Sequence, residues 1–345
     1  MLKRVKYFLV YLLPISVFVS FTSKGLMTFL PVFLFFGFTP ILELFFKADS
    51  KNFDKETAQL EKENKLYSWI LYLTVPIQLG MLLWFFYVIK EPLTTLEYMG
   101  RISAMGLMCG VFGINVGHEL GHRLNKTEVF LGELMLLSSL NTHFLPYHNG
   151  GHHFNVATPN DAATARKNEP LYIFWIRSHF SSYIQAWQLE NKRLANENST
   201  VFSLKNKMVT YTIANILLLG LIYYFFGVWV LVCFIAASII GILQLETVNY
   251  IEHYALLRKK NDKGRYEKVR HHHSWNSDHI IGKLMLFNLS RHSDHHYNGS
   301  KPYQILNSLP ESPQMPTGYP GMMILSLIPP LWFRYMNARI AHLEH

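Results

Sequence analysis

Histidines carry the chemistry this sequence offers. HELGHR holds His118 and His122, YHNGGHH holds His148, His152 and His153, and RHSDHH holds His292, His295 and His296. Imidazole is the commonest protein metal ligand, and residues three or four apart share one face of a helix. His253, in NYIEHYALLR, is a ninth candidate, with Asn249 one helical turn before it. Eight or nine neutral imidazoles exceed what one ion can use, so two ions with four or five ligands each fit the count. All-nitrogen sites with open positions suit iron better than magnesium or calcium, which take oxygen.

HELGH also matches HExxH, the zinc metalloprotease signature in which the Glu acts as general base. That reading uses two of the nine histidines and leaves the rest idle, whereas a catalytic zinc takes three protein ligands. Glu119 is therefore expected to orient an imidazole N–H instead. Asp161, Glu252, Asp278 and Asp294 lie beside the histidine motifs and are read in the same way. The two cysteines, Cys109 and Cys233, sit in apolar runs and form no CxxC. Thiolate iron–sulfur sites, zinc ribbons and a disulfide framework are excluded within this chain.

The elements that position these residues are apolar helices. Half of the 345 residues are apolar, 15% are aromatic and 16% are charged. Soluble domains carry roughly a quarter charged residues. Mean hydropathy is only +0.12, so a large part is still polar. The expected fold is an all-α membrane protein in one domain, 1–345. It has six transmembrane helices and a cytosolic, helical, histidine-rich cap that holds a di-iron site. The spans are read at about 7–21, 25–46, 67–89, 102–116, 208–226 and 228–248, and the cap at 117–206 and 249–345. Lys3, Arg4 and Lys6 precede the first run, but no small-residue cleavage site follows, so it is read as a span and not a signal peptide. Residues 129–140 are too short to cross, 171–189 suit an interfacial helix, and 321–332 are short and proline-interrupted.

With the N-terminus inside, the loops at 47–65, 117–206 and 250–345 face the cytosol and collect most of the Lys and Arg, as the positive-inside rule requires. All the histidine clusters then share the cytosolic side. The same topology accounts for the formal charge of +9. Lys and Arg are spread among loops with no single stripe, which argues against nucleic acid as a partner. Iron beside an apolar membrane cavity points to O2 activation against an apolar substrate: a membrane di-iron oxygenase or desaturase.

At this point a resemblance is plain. The sequence is similar to the integral-membrane alkane 1-monooxygenases, within the membrane fatty-acid desaturase/hydroxylase superfamily. The matching segments are 115–123 (NVGHELGHR), 147–166 (YHNGGHHFNVATPNDAATAR), 249–258 (NYIEHYALLR), 264–279 (GRYEKVRHHHSWNSDH), 289–296 (LSRHSDHH) and 315–321 (MPTGYPG). The three histidine boxes belong to the whole superfamily, whereas NYIEHY and HSWNSDH point to the alkane hydroxylase branch. Gly150 stands where family members often have a basic residue.

The resemblance implies terminal hydroxylation of n-alkanes to 1-alkanols with two non-haem iron ions and O2. It implies His118, His122, His148, His152, His153, His253, His292, His295 and His296 as ligands. Asn249, His143, His273 and His279 would support them from outside, with Glu119, Asp278 and Asp294. Electrons would come from rubredoxin, a small acidic protein, fed by an NAD(P)H-dependent reductase. Arg123, Lys126, Arg166, Lys167, Lys259 and Lys260 are candidate contacts. The enzyme would sit in the lipid bilayer of the inner (cytoplasmic) membrane with its site facing the cytosol. Phe35, Phe36, Leu107 and Phe112 are candidates to line a channel for a medium- or long-chain alkane. His271, His272, His342 and His345 are expected at the solvated surface, and His179 in a structural role.

Three other readings stay open. A fatty-acyl desaturase or another hydroxylase of the superfamily would differ in its products. An intramembrane zinc metalloprotease would hold zinc without iron. A metal transporter would need its ligands near the membrane midplane, whereas these gather at one face.

Overall fold

The computed structural model describes residues 2–343; Met1, Glu344 and His345 lie outside that range. The secondary-structure elements of the described residues are all helices, joined by loops, with no strand among them. Among the described residues, four helices are long and apolar enough to cross a membrane: Gly25–Phe45, Lys65–Val88, Thr95–Gly121 and Lys207–His253. Lys6–Thr22 is apolar but shorter. The 47-residue helix Lys207–His253 is broken at Gly227, whose φ of 85° lies in a region that glycine enters without steric cost. This is the break expected from the sequence at 226–228.

Helix ends differ from the apolar runs for identifiable reasons. The third long helix begins at Thr95, seven residues before the run at 102. Thr94 and Glu97 form a reciprocal capping box that satisfies its first N–H groups. Buried Arg101 then donates to the carbonyls of Val88 and Ser23. The same helix continues through HELG to Gly121 by way of a π-helical stretch, Cys109–Val116. The helix expected at 171–189 extends to Asn196, and Arg193 pairs with Glu190 and Glu197 along its polar end. Lys55–Glu63 is a helix capped by Asp54, within the charged loop.

The chain forms two compact units. The first comprises the chain through Phe35, with Lys65–Tyr147 and Ile184–Leu245. Its helices approach closely through small residues, as membrane helices do. A Cβ on Gly241 would stand 2.7 Å from that of Cys109. A Cβ on Gly132 would stand 2.9 Å from the Gly117 carbonyl, so Lys126–Leu137 lies directly against the HELGH turn.

The second unit comprises Phe36–Asn64, His148–Tyr183 and the chain from Glu246 onward. Its core is aromatic: Phe174, Tyr250, Tyr254, Trp275, Tyr319 and Trp332 are all buried. The loops after two histidine motifs are fastened together by their backbones. Ala255 N–H donates to Ala165 O, and Arg258 N–H donates to Ala157 O. Both Ala157 and Ala255 take left-handed φ values of 60° and 58°, which ends the preceding turn at each point. Glu43 accepts from Gly282 N–H at 2.7 Å and packs against Gly318.

Candidate metal centre

Within the first unit, His118 and His122 lie one helical turn apart, with Nε2 atoms 3.1 Å from each other. Gly117, directly before His118, packs closely against Leu136 and the Gly132 carbonyl, and Phe144 lies 5.8 Å from the His118 ring. Glu119 forms an ion pair with Arg123 at 2.8 Å. That pairing holds its carboxylate against a cation, unlike the general base of a zinc protease.

Within the second unit, seven histidines converge. His148–His152 is a π turn, in which residue i is matched with i+5 instead of i+4. His148 and His153 therefore face each other, with Nε2 atoms 3.0 Å apart. The His295 ring lies 5.9 Å from His148 and 4.9 Å from His153. His152 turns to a different group. Its ring is 4.8 Å from His253 and 4.7 Å from His296. The Nε2 of His292 lies 3.0 Å from that of His253 and 2.9 Å from that of His296. His152, His253, His292 and His296 are all buried, and their ligand atoms lie within 4.8 Å of one another.

These spacings test the fit to a metal. Ligands on bonds of about 2.1 Å stand about 3.0 Å apart at right angles and about 3.4 Å apart at tetrahedral angles. The nitrogen pairs at 2.9–3.1 Å, and the 4.8 Å limit on the whole quartet, are compatible with ligands gathered around one ion. Burial and the surrounding imidazoles hold His296 far below the usual imidazole range, so it is neutral and its lone pair is available for coordination.

The groups around these rings sort into two kinds. Asp161 places both carboxylate oxygens 3.0 Å from His152 Nδ1, the arrangement that fixes the tautomer of a metal-binding histidine. Glu252 Oε2 lies 3.2 Å from His292 Nε2, and Tyr319 donates to Glu252 Oε1 at 2.7 Å. Ser274 Oγ lies 3.5 Å from His253 Nδ1.

The hydrogen bonds of Asp278, Asp294, Asn249 and His279 go to groups other than the ligand histidines. Asp278 accepts from Arg291 at 3.0 Å and from Ser308. Arg291 in turn donates to the carbonyls of Leu306, Asp49 and Lys51, which fixes the start of the His292–Tyr297 helix. Asp294 accepts from Lys301 and from Asn307 N–H. Asn249 donates to Glu246 at 3.4 Å. His279 pairs with Ser277 at 3.0 Å, and His143 is buried in the first unit. Tyr319 and Arg291 were not singled out from the sequence. Tyr319 stands in the MPTGYPG segment, and Arg291 directly precedes His292; motif membership was the only signal for either.

A further group, Glu267, His272 and His273, also clusters. His273 Nδ1 accepts from Arg270 N–H at 2.9 Å, so in the neutral ring Nε2 carries the proton. That tautomer is the reverse of a metal ligand at Nε2. It directs an N–H toward Glu267, 3.5 Å away. Burial and the neighbouring His272 lower His273 to about 4, consistent with a neutral ring.

Of the channel candidates, Leu107 and Phe112 are buried in the first unit, and Phe112 packs edge-on against Tyr11. Phe35 and Phe36 are half-buried, on the π-helical stretch Phe33–Phe38. In the second unit a cavity of about 730 Å3 runs between Asp161 and a rim that includes Arg166, Lys167, Lys259 and His272.

The fatty acid desaturase family model matches residues 96–326. An alkane 1-monooxygenase of Ectopseudomonas oleovorans is 39% identical over 317 residues, covering 91% of this chain and 78% of its own. Alkane 1-monooxygenase 1 of Pseudomonas aeruginosa is 38% identical, covering 88% and 81%. Alkane 1-monooxygenase 1 of Alcanivorax borkumensis is 36% identical, covering 95% and 81%.

Proposed function

The chain belongs to the fatty acid desaturase family and, within it, to the alkane 1-monooxygenases, and we propose that it hydroxylates n-alkanes at a terminal carbon. The reaction balances as RH + O2 + 2 e− + 2 H+ → ROH + H2O. The observation that carries this reading is the buried, all-imidazole quartet His152, His253, His292 and His296. Magnesium and calcium, which take oxygen ligands, would not select an all-imidazole site, whereas iron does.

The same reading assigns nine histidines to two iron ions. His118 and His122 join His148, His153 and His295 on the strength of the family's HELGH motif. When bound, the iron supplies the reduction of O2 that no side chain of this protein can perform. The protein's share is geometry and exclusion of water. Asp161 keeps the His152 lone pair on Nε2, Tyr319 holds Glu252 beside the Nε2 of His292, and Arg291 fixes the helix that carries His292, His295 and His296. Leu107 and Phe112, with Phe35 and Phe36, are proposed to guide the methyl end of the alkane.

Six crossings are part of the proposal: Lys6–Thr22, the three long helices Gly25–Phe45, Lys65–Val88 and Thr95–Gly121, and the two limbs of Lys207–His253 about Gly227. The distribution of Lys and Arg supports a cytosolic site in the inner membrane. Rubredoxin is proposed as the electron donor, fed by its NAD(P)H-dependent reductase. An acidic carrier suits the rim of Arg166, Lys167 and Lys259 above Asp161.

The test combines metal analysis with turnover. Purified protein should hold two irons per chain. It should convert a chain-length series of alkanes to 1-alkanols only with O2, rubredoxin and reductase present. Zinc without iron would overturn the reading, and so would desaturated acyl products in place of alkanols.

A further inference from the structure

The C-terminal helix of the second unit presents a face that the metal centre does not use. Pro329–Leu343 buries Trp332, Met336 and Ile340, four residues apart, against the aromatic core. Its opposite face carries Leu331, Arg334, Tyr335, Ala338 and His342. With Leu325 and Arg339 these line a groove of about 500 Å3. Leu327, Ile328, Leu331 and Tyr335 are each 42–49% exposed. Tyr172 donates to Leu327 O at 2.7 Å, which ties this hairpin to the helix that starts at Leu171. There Tyr172, Ile173, Ile176, Phe180 and Tyr183 form one exposed apolar stripe at helical spacing.

Among the described residues, the cations that border this apolar face have no counter-charge paired with them. From Ser312 to Leu343 the sequence holds no Asp or Glu. Arg334 is exposed and has no ion-pair or hydrogen-bond partner among the described residues. Arg339 stacks on Tyr335, 4.7 Å from the ring centroid, and donates to its hydroxyl at 3.0 Å. Its Nε is buried without a partner.

We propose that this groove binds an anionic phospholipid. The phosphate lies on Arg334 and Arg339, and the acyl chains run along Leu327, Ile328 and Leu331. A guanidinium fork matches phosphate oxygens, and Arg339 is pre-oriented by its stack on Tyr335. An amphipathic helix with cations flanking an exposed apolar stripe is the pattern of a segment lying in the membrane interface. A second copy of the chain is a poorer occupant, because related faces would bring Arg334 and Arg339 against their own kind. The site is independent of the reaction proposed for the metal centre.

Native mass spectrometry of the full-length, iron-loaded protein in non-ionic detergent tests this, with equimolar phosphatidylglycerol and phosphatidylcholine added. The wild type should retain phosphatidylglycerol in preference, by roughly fivefold for each arginine engaged. Arg334→Gln should reduce the preference, and Arg334→Gln with Arg339→Gln should abolish it. Arg270→Gln, at an exposed cation elsewhere in the unit, should leave it unchanged. Iron content, read for each variant, separates lipid loss from misfolding. If the double variant misfolds, Arg334→Gln carries the test alone, since that side chain has no partner to lose. Equal retention of the two lipids by the wild type overturns the proposal. So does an undiminished preference in the folded variants, or a dimer that retains no lipid.

Discussion

Both carboxylate oxygens of Asp161 stand 3.0 Å from Nδ1 of His152, nine residues away along the chain. The carboxylate can only accept, so the ring proton lies on Nδ1 and the lone pair on Nε2. Thr164 and the N–H of Ala163 hold the carboxylate in place. Asp161→Asn can present an amide N–H to Nδ1, which favours the opposite tautomer. Apparent metal affinity, measured by chelator competition, should fall about 10–100-fold, with helical content unchanged. Unaltered affinity would reduce Asp161 to a loop anchor.

The π turn at His148–His152 makes a separate prediction. Five residues, not four, separate the facing pair His148 and His153. Deleting exposed Gly150 shortens the turn by one residue and rotates His152 and His153 off their partners. Bound metal should fall to a small fraction of the wild-type content. Gly150→Lys keeps the register and should keep the metal. Retention of both ions after the deletion would show that the turn does not set the geometry.

Gly318 is fixed by contact. A Cβ there would run into the Glu43 carboxylate, inside a buried site. Glu43 is itself held by Gly282 N–H. Gly318→Ala should therefore cost about 1–3 kcal/mol by overpacking, read as a lowered unfolding temperature in detergent. Combining it with Glu43→Ala should cost less than the sum of the two single changes, since one clash is shared. Additive losses would disprove the contact.

Lys283 gives a pH dependence away from the histidines. It is buried and donates to Asp49 O at 2.8 Å. Burial first, and then nearby Arg291, lowers its pKa to about 8, against the opposing pull of Asp49 and Asp278. The unfolded value is about 10.4. Between these values the unfolded chain binds more protons, so this group makes stability rise with pH across that window. Lys283→Met removes the rise. The unfolding temperature of the wild type relative to that of the variant should rise from pH 8 to 10.5. A constant difference would contradict the depressed pKa.

Arg166, Lys167 and Lys259 share one rim, whereas Arg123 is already paired with Glu119 and Lys260 lies over the Tyr266 ring. Lys167→Glu with Lys259→Glu should raise the KM for rubredoxin by an order of magnitude or more at low salt, leaving iron content unchanged. Wild-type turnover should weaken as ionic strength rises. Salt-insensitive turnover would remove charge from the docking of the donor.

Much of this was legible because local spacing settles it. His118 and His122 face each other in the register that an ordinary helical turn gives, so HELGH could be read directly. The break at Gly227 followed from two span lengths in one apolar run. HNGGHH could not be read in that way. Helical spacing pairs His148 with His152, whereas the π turn pairs it with His153 and sends His152 to His253 and His296. The start at Thr95 was hidden by its own capping residues, which are polar and lower the hydropathy of the first turn.

By itself, then, the sequence determined the membrane-length apolar helices, the imidazole donor set and the family. These are properties of composition and short spacing. Only the tertiary structure decided which histidines of the second unit share a group, that Asp161 braces His152 while Asp278 holds the Arg291 side chain and Asp294 the Asn307 N–H, and that Tyr319 reaches Glu252 across 67 residues. Those pairings depend on where loops far apart in the chain are fastened. No local periodicity encodes that.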